Sequence, residues 1–305
     1  MVKKAVIPAA GLGTRMLPAA KAVPKEMLPI VDRPTIQYVV EECVSAGVDD
    51  VLLVTSKDKR ALEDHFDRHR ELEQRLAAGG KQALLDSINE LMSRARIHSV
   101  RQQEQRGLGD AVLCAREHVG NEPFLCLLGD AVFSGEPRPA QQLVEVQREF
   151  GGSVVGLEEV PLERVSRYGV IAGTAIRPGI WKVESLVEKP RPEVAPSRLA
   201  IAARYVLSPG VFDCLARVRP GVGGEIQLTD ALRTLLDTEP VHGVLLGARR
   251  HDIGNPADWL KANLVFARAR PEVWARLEAT VRGLLTGASD VDVVQPPDIL
   301  SAGKE

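Results

Sequence analysis

Apolar residues follow two rhythms along this chain, and their alternation predicts the architecture. Short unbroken runs at residues 2–8, 51–55, 124–128 and 153–157 have the length and composition of strands buried on both faces. Between them, 35–46 and 111–119 carry apolar residues at helical spacing. Strands alternating with helices predict an α/β fold with a Rossmann-like mixed, mainly parallel sheet flanked by helices. Ligands on such sheets bind beyond the carboxyl ends of the strands. The stretch 59–96 is charged and helical, is broken at Gly79-Gly80, and reads as two or three peripheral helices. Beyond Gly169 the pattern shortens into strands and turns with prolines at 178, 190, 192 and 196, so 169–250 reads as a ligand-covering subregion. Residues 257–285 are helical again. We expect one domain over 1–287 and a loosely ordered tail over 288–305, where large apolar groups are few.

Charge narrows the partners. Lysine and arginine total 39 against 41 aspartate and glutamate, which argues against a nucleic-acid surface or a membrane patch. An anionic ligand must then be held by a few placed cations. Cys43, Cys114, Cys126 and Cys214 show neither metal-ligand spacing nor a dense disulfide pattern, and suit core positions in a reducing, cytoplasmic protein. No signal peptide or membrane span is expected.

The densest local signal is Pro8-Ala-Ala-Gly-Leu-Gly-Thr-Arg-Met-Leu-Pro18, where the first strand enters a loop with small residues at Ala9, Ala10, Gly11 and Gly13. Small residues let a ligand approach the backbone and aim several N–H groups at an anion. Arg15 adds a planar cation suited to phosphate oxygens, and Lys25 a second charge. A plain tight turn with surface cations would use the same residues. A dinucleotide-binding loop fits less well, because Met16 stands where its third glycine belongs and Asp32 lies in a turn-like setting. No Gly-Lys-Ser/Thr follows, so a P-loop is absent. Asp130 ends the apolar run Phe124-Leu-Cys-Leu-Leu-Gly129, where a carboxylate suits Mg²⁺ shared with phosphates. His65 and His69 lie four apart on an expected helix, but no neighbouring glutamate completes a zinc pattern and they read as a solvated face.

Gly11-Leu-Gly-Thr-Arg15 followed by Pro24-Lys-Glu-Met-Leu-Pro29 resembles the opening of bacterial UTP–glucose-1-phosphate uridylyltransferases. The resemblance continues in order through Gly107-Leu-Gly109, Leu127-Leu-Gly-Asp130, Tyr168-Gly-Val170, Val187-Glu-Lys-Pro190, Gly224-Glu-Ile-Gln-Leu-Thr-Asp230 and His251-Asp-Ile-Gly-Asn255. It implies a sugar nucleotidyltransferase fold with 169–250 on the sugar side. It further implies that Ala10, Gly11 and Gly13 wrap the nucleotide, that Arg15 and Lys25 hold the triphosphate, and that Glu26 is a nucleotide-side contact. Gln102 and Gly107 match the base-reading positions; taken alone, Gln102 would be a surface glutamine. Gly169 and Glu188 are implied to meet the sugar, and Lys189 its phosphate. Asp252 matches a second metal carboxylate, though a turn-capping aspartate remains open.

Three positions depart from that pattern. Asp110 stands where the family usually has histidine, Ala131 where many members have a second aspartate, and Ala203 where glycine is common. Asp110 is expected in the first turn of a helix, pointing away from the triphosphate. The expected partners are UTP and glucose 1-phosphate, with a homo-oligomer, dimer or tetramer, contacting through 59–96. The alternatives are a thymidylyltransferase making dTDP-glucose and a non-catalytic nucleotide-sugar binder.

Overall fold

The computed structural model describes residues 1–286; the tail expected over 288–305 lies outside the described residues. A nine-stranded sheet runs, in spatial order, Arg96–Arg101, Asp50–Thr55, Lys4–Pro8, Phe124–Leu127, Leu199–Leu207, Ser153–Glu159, Val241–Leu245, Ile180–Glu188 and Gly169–Arg177. Seven strands share one direction, and only Leu199–Leu207 and Ile180–Glu188 are reversed. The sheet is therefore mixed, but not mainly parallel as expected: four of its eight neighbouring pairs are parallel and four antiparallel. The outer hairpin curls back far enough for Val170 to pair with Ala200.

Alternate residues of the inner strands feed opposite cores, as the pleat requires. Ala5, Ile7, Leu125 and Leu127 face one side, under helices Thr35–Ser45 and Pro139–Phe150. Val6, Phe124 and Cys126 face the other, under helices Leu108–Leu113, Gly210–Leu215 and Leu228–Leu235. These five helices cover the two faces of one sheet, and residues 169–245 supply four of its strands.

Several boundaries differ from the sequence reading. Arg96–Arg101 is an edge strand that lay hidden at the end of a helical stretch, because an edge strand needs no continuous apolar run. The stretch 59–96 contains helices Arg60–Asp64, Arg70–Ala78 and Gln82–Arg94 before it. The strands after Gly169 are long, not short: three of them have nine residues each. Residues 111–119 split into Leu108–Leu113 and Arg116–Val119. Helix Pro256–Arg268 starts where Asn255 accepts from the Asp258 N–H at 3.0 Å and a proline takes the first turn. No helix among the described residues is long and apolar enough to cross a membrane.

Candidate active site

Two chambers open side by side at the carboxyl ends of Lys4–Pro8 and Phe124–Leu127. The smaller, about 390 Å³, is bounded by the loop from Pro8 to Thr14 together with Glu26, Gln102 and Gly107. The larger, about 690 Å³, is lined by Gly169, Glu188, Lys189, Thr229, Arg250 and Asp252 among others. Lys25, Leu108, Leu128, Asp130 and Glu225 border both. Arg15 lines the larger one, lying over Gly254. Thus Ala10, Gly11, Gly13, Glu26, Gln102 and Gly107 gather at one chamber, and Arg15, Gly169, Glu188, Lys189 and Asp252 at the other.

At the boundary, Lys25 Nζ lies 2.5 Å from Asp130 Oδ2. Burial alone would lower the ammonium's pKa, but the carboxylate of Asp130, helped by Glu26, holds it above the ordinary lysine value. Burial alone would raise Asp130, yet Lys25 keeps its carboxyl below the ordinary aspartate value. Behind them Glu26, which borders the smaller chamber, is 2% exposed and bonded at 2.7 Å to Lys59. Burial raises Glu26 and lowers Lys59, the direction expected when charges leave water.

Asp130 and Asp252 come from distant segments but are neighbours. The short strands Ala131–Ser134 and Arg249–Asp252 pair with Ala131 opposite Asp252, and the Ile253 N–H donates to the Asp130 carbonyl at 2.9 Å. Where Ala131 supplies no carboxylate, its cross-strand partner does. Asp252 Oδ1 also accepts from the Gly254 N–H at 2.7 Å, so the turn-capping role coexists with a place on the cleft wall. No group of three or more His, Cys, Asp or Glu residues is poised for a metal among the described residues. Two hard oxygen donors suit an ion that completes its shell with phosphate oxygens and water. His65 instead meets Gln37 at 3.2 Å, and His69 caps helix Arg70–Ala78 through Nδ1.

Beneath this floor lies a buried ion pair. Arg204, fully buried, bonds Glu42 at 2.9 Å through both Nε and Nη2, and donates to the carbonyls of Ala131 and Leu128 on either side of Asp130. Ala203 before it has φ 59, the left-handed region that favours glycine, at a break in the register of Leu199–Leu207.

In the larger chamber Thr229 Oγ1 donates to Glu188 Oε2 at 2.7 Å, and Lys189 sits 3.4 Å from Glu188 Oε1. A Cβ on Gly169 would stand 2.7 Å from Thr229 Oγ1, so only glycine lets these groups close up. Gly107 is similarly obligatory, with φ 106 and a Cβ that would meet Ile226 O at 2.8 Å. Thr229, Glu225, Arg250 and Lys59 were not foreseen as site residues. The first two lie inside the Gly224–Asp230 motif, whose presence was the available signal; Lys59 gave none.

The comparisons agree with this geometry. The nucleotidyl transferase family matches residues 4–268. The chain is 48% identical over 284 residues to the UTP–glucose-1-phosphate uridylyltransferase YngB of Bacillus subtilis, covering 93% of this chain and 96% of that protein. A UDP-glucose pyrophosphorylase solved with UDP-glucose superposes with TM-score 0.81 at 40% identity, covering 88% of this chain and all of that one. A UTP-bound UGPase from Acinetobacter baumannii gives 0.85 at 36%, covering 93% of this chain and 100% of the other. With its sheet, its paired chambers and these relatives in agreement, the chain belongs to the nucleotidyl transferase family.

Proposed function

We infer that this enzyme transfers a uridylyl group from UTP to glucose 1-phosphate, giving UDP-glucose and pyrophosphate. The observation that carries the reading is the meeting of the two chambers at Lys25 and Asp130, which gives two phosphorylated substrates one shared wall. The smaller chamber takes the nucleotide: Ala10, Gly11 and Gly13 supply backbone, and Gln102 and Gly107 face the base. The larger takes the sugar phosphate, with Gly169 and Glu188 against the sugar and Lys189 at its phosphate.

A phosphate oxygen of glucose 1-phosphate attacks the α-phosphorus of UTP in line; the new P–O bond forms as the bond to the β-phosphate oxygen breaks. No side chain need act as nucleophile. Arg15 and Lys25 offset the charge on the departing pyrophosphate, and Lys189 offsets repulsion between the two substrates. Asp130 and Asp252 would hold Mg²⁺, which supplies charge neutralisation at the phosphates when bound. The single domain over 1–287, a cytoplasmic location and a homo-oligomer complete the proposal.

Pyrophosphate release should be measured with each nucleoside triphosphate against glucose 1-phosphate, with and without a chelator. UTP should be used best, and the chelator should abolish turnover. Equal use of all triphosphates would sink the reading, use of dTTP alone would select the thymidylyl alternative, and nucleotide-sugar binding without turnover would select a non-catalytic binder.

A further inference from the structure

We propose that Asp110 is a positioning residue that locks the amide of Gln102 with its carbonyl oxygen toward the base, restricting the smaller chamber to pyrimidines that carry a hydrogen on N3. This rests on the reading of that chamber as the nucleotide site. Gln102 is 5% exposed, and its Nε2 donates to Gly107 O at 3.1 Å and to Asp110 Oδ2 at 2.7 Å. Both amide hydrogens are thereby used. A carbonyl and a carboxylate only accept, so turning the amide over would set its oxygen against two others. The orientation follows from chemistry, without any hydrogen being seen.

Asp110 is held in turn. It is 4% exposed, and its second oxygen accepts from Arg106 Nη2 at 2.8 Å. The main chain around both residues is tied to one segment, since Ile226 N donates to Arg106 O at 2.7 Å and Gly109 N to Ile226 O at 2.8 Å. Among the described residues no group donates to Gln102 Oε1, which is left as an acceptor at the chamber wall. Uracil and thymine present an N3–H to such an oxygen. Cytosine presents a lone pair there, leaving two acceptors face to face. The aspartate that replaces the family's histidine therefore points away from the phosphates, and its charge is spent on orienting the base reader.

The test is steady-state kinetics with UTP and CTP on the full-length enzyme. Asp110→Ala should lose the UTP-over-CTP preference in kcat/KM by about tenfold or more. The change should come through KM for UTP, with KM for glucose 1-phosphate unchanged. Asp110→Asn, whose single oxygen cannot accept from both Gln102 and Arg106 and whose NH2 can then face Gln102, should lose part of the preference. Should Asp110→Ala fail to fold, Asp110→Ser takes its place, because a hydroxyl both accepts and donates and so leaves the amide free to turn. An unchanged preference in Asp110→Ala or Asp110→Ser, or an equal fall for both nucleotides, overturns the proposal. Gln102→Ala separates this failure from that of the underlying reading. Preference lost in Gln102→Ala but kept without Asp110 overturns the positioning role alone. Preference kept in both variants shows that Gln102 does not read the base.

Discussion

The two chambers are built on opposite plans. In the smaller, polar groups are already paired inside the protein: Gln102 with Asp110, Asp110 with Arg106, and Glu26 with Lys59. In the larger, Arg164, Arg167 and Lys189 stand exposed, while Thr229 bonds Glu188 and Arg250 pairs with Glu158 inside. A base is distinguished by its pattern of donors and acceptors, so its reader must be fixed before it arrives. A phosphate is attracted by charge from any direction, and cations left in water serve that purpose.

The comparison is most severely tested at Arg204, which underlies both chambers. Arg204→Met leaves Glu42 buried without its partner and frees the carbonyls beside Asp130. Removing one member of such a pair costs about 3–5 kcal/mol. Chemical denaturation should show a loss of that size, and both nucleotide and sugar-phosphate binding should weaken. A loss confined to one substrate would mean that the shared floor is not shared in energy. Lys189→Ala comes next. It should cost about 3 kcal/mol of transition-state stabilisation, roughly a hundredfold in kcat/KM, if it resembles loss of one oxyanion donor. UTP binding by calorimetry should be unchanged. If UTP binding collapses while the sugar phosphate still binds, the division of labour is reversed. The smallest effect is expected at Ala203. Glycine relieves a left-handed alanine worth about 1–2 kcal/mol, offset by about 0.4–1 kcal/mol of added freedom in the unfolded chain. Ala203→Gly should therefore stabilise by roughly 0.5–1 kcal/mol in the melting curve, leaving the UTP-over-CTP preference intact. A destabilised variant would show that the methyl packs usefully on the larger chamber's wall.

The sheet was legible in the sequence wherever strands were buried on both faces, because such strands read as unbroken apolar runs. Arg96–Arg101 escaped because its burial is only partial along its length. The glycine loop and Asp130 could be read from residue chemistry at a strand end. The pairing of Asp130 with Asp252 could not, since it depends on two short strands far apart in sequence, tied also by a hydrogen bond between Ser134 and His251, 117 residues apart. Gln102 was found by resemblance alone; its reason for being buried, Asp110, was visible only as a departure. Ala203 was also visible as a departure, and its φ supplies the physical content: the backbone there turns as glycine would.

The interleaved strand order has a consequence for synthesis on the ribosome. Four adjacent parallel strands, Arg96–Arg101 through Phe124–Leu127, are all present once residue 127 has been made. The next strand in space, Leu199–Leu207, comes much later, and Ser153–Glu159 waits for Val241–Leu245 on its other side. Throughout that interval the nascent chain carries open strand edges rich in valine and leucine, the kind that pair with other chains. A message truncated anywhere between residues 160 and 240 would therefore yield a sticky fragment rather than a smaller working enzyme, and timely completion of the carboxyl-terminal third protects the product already formed.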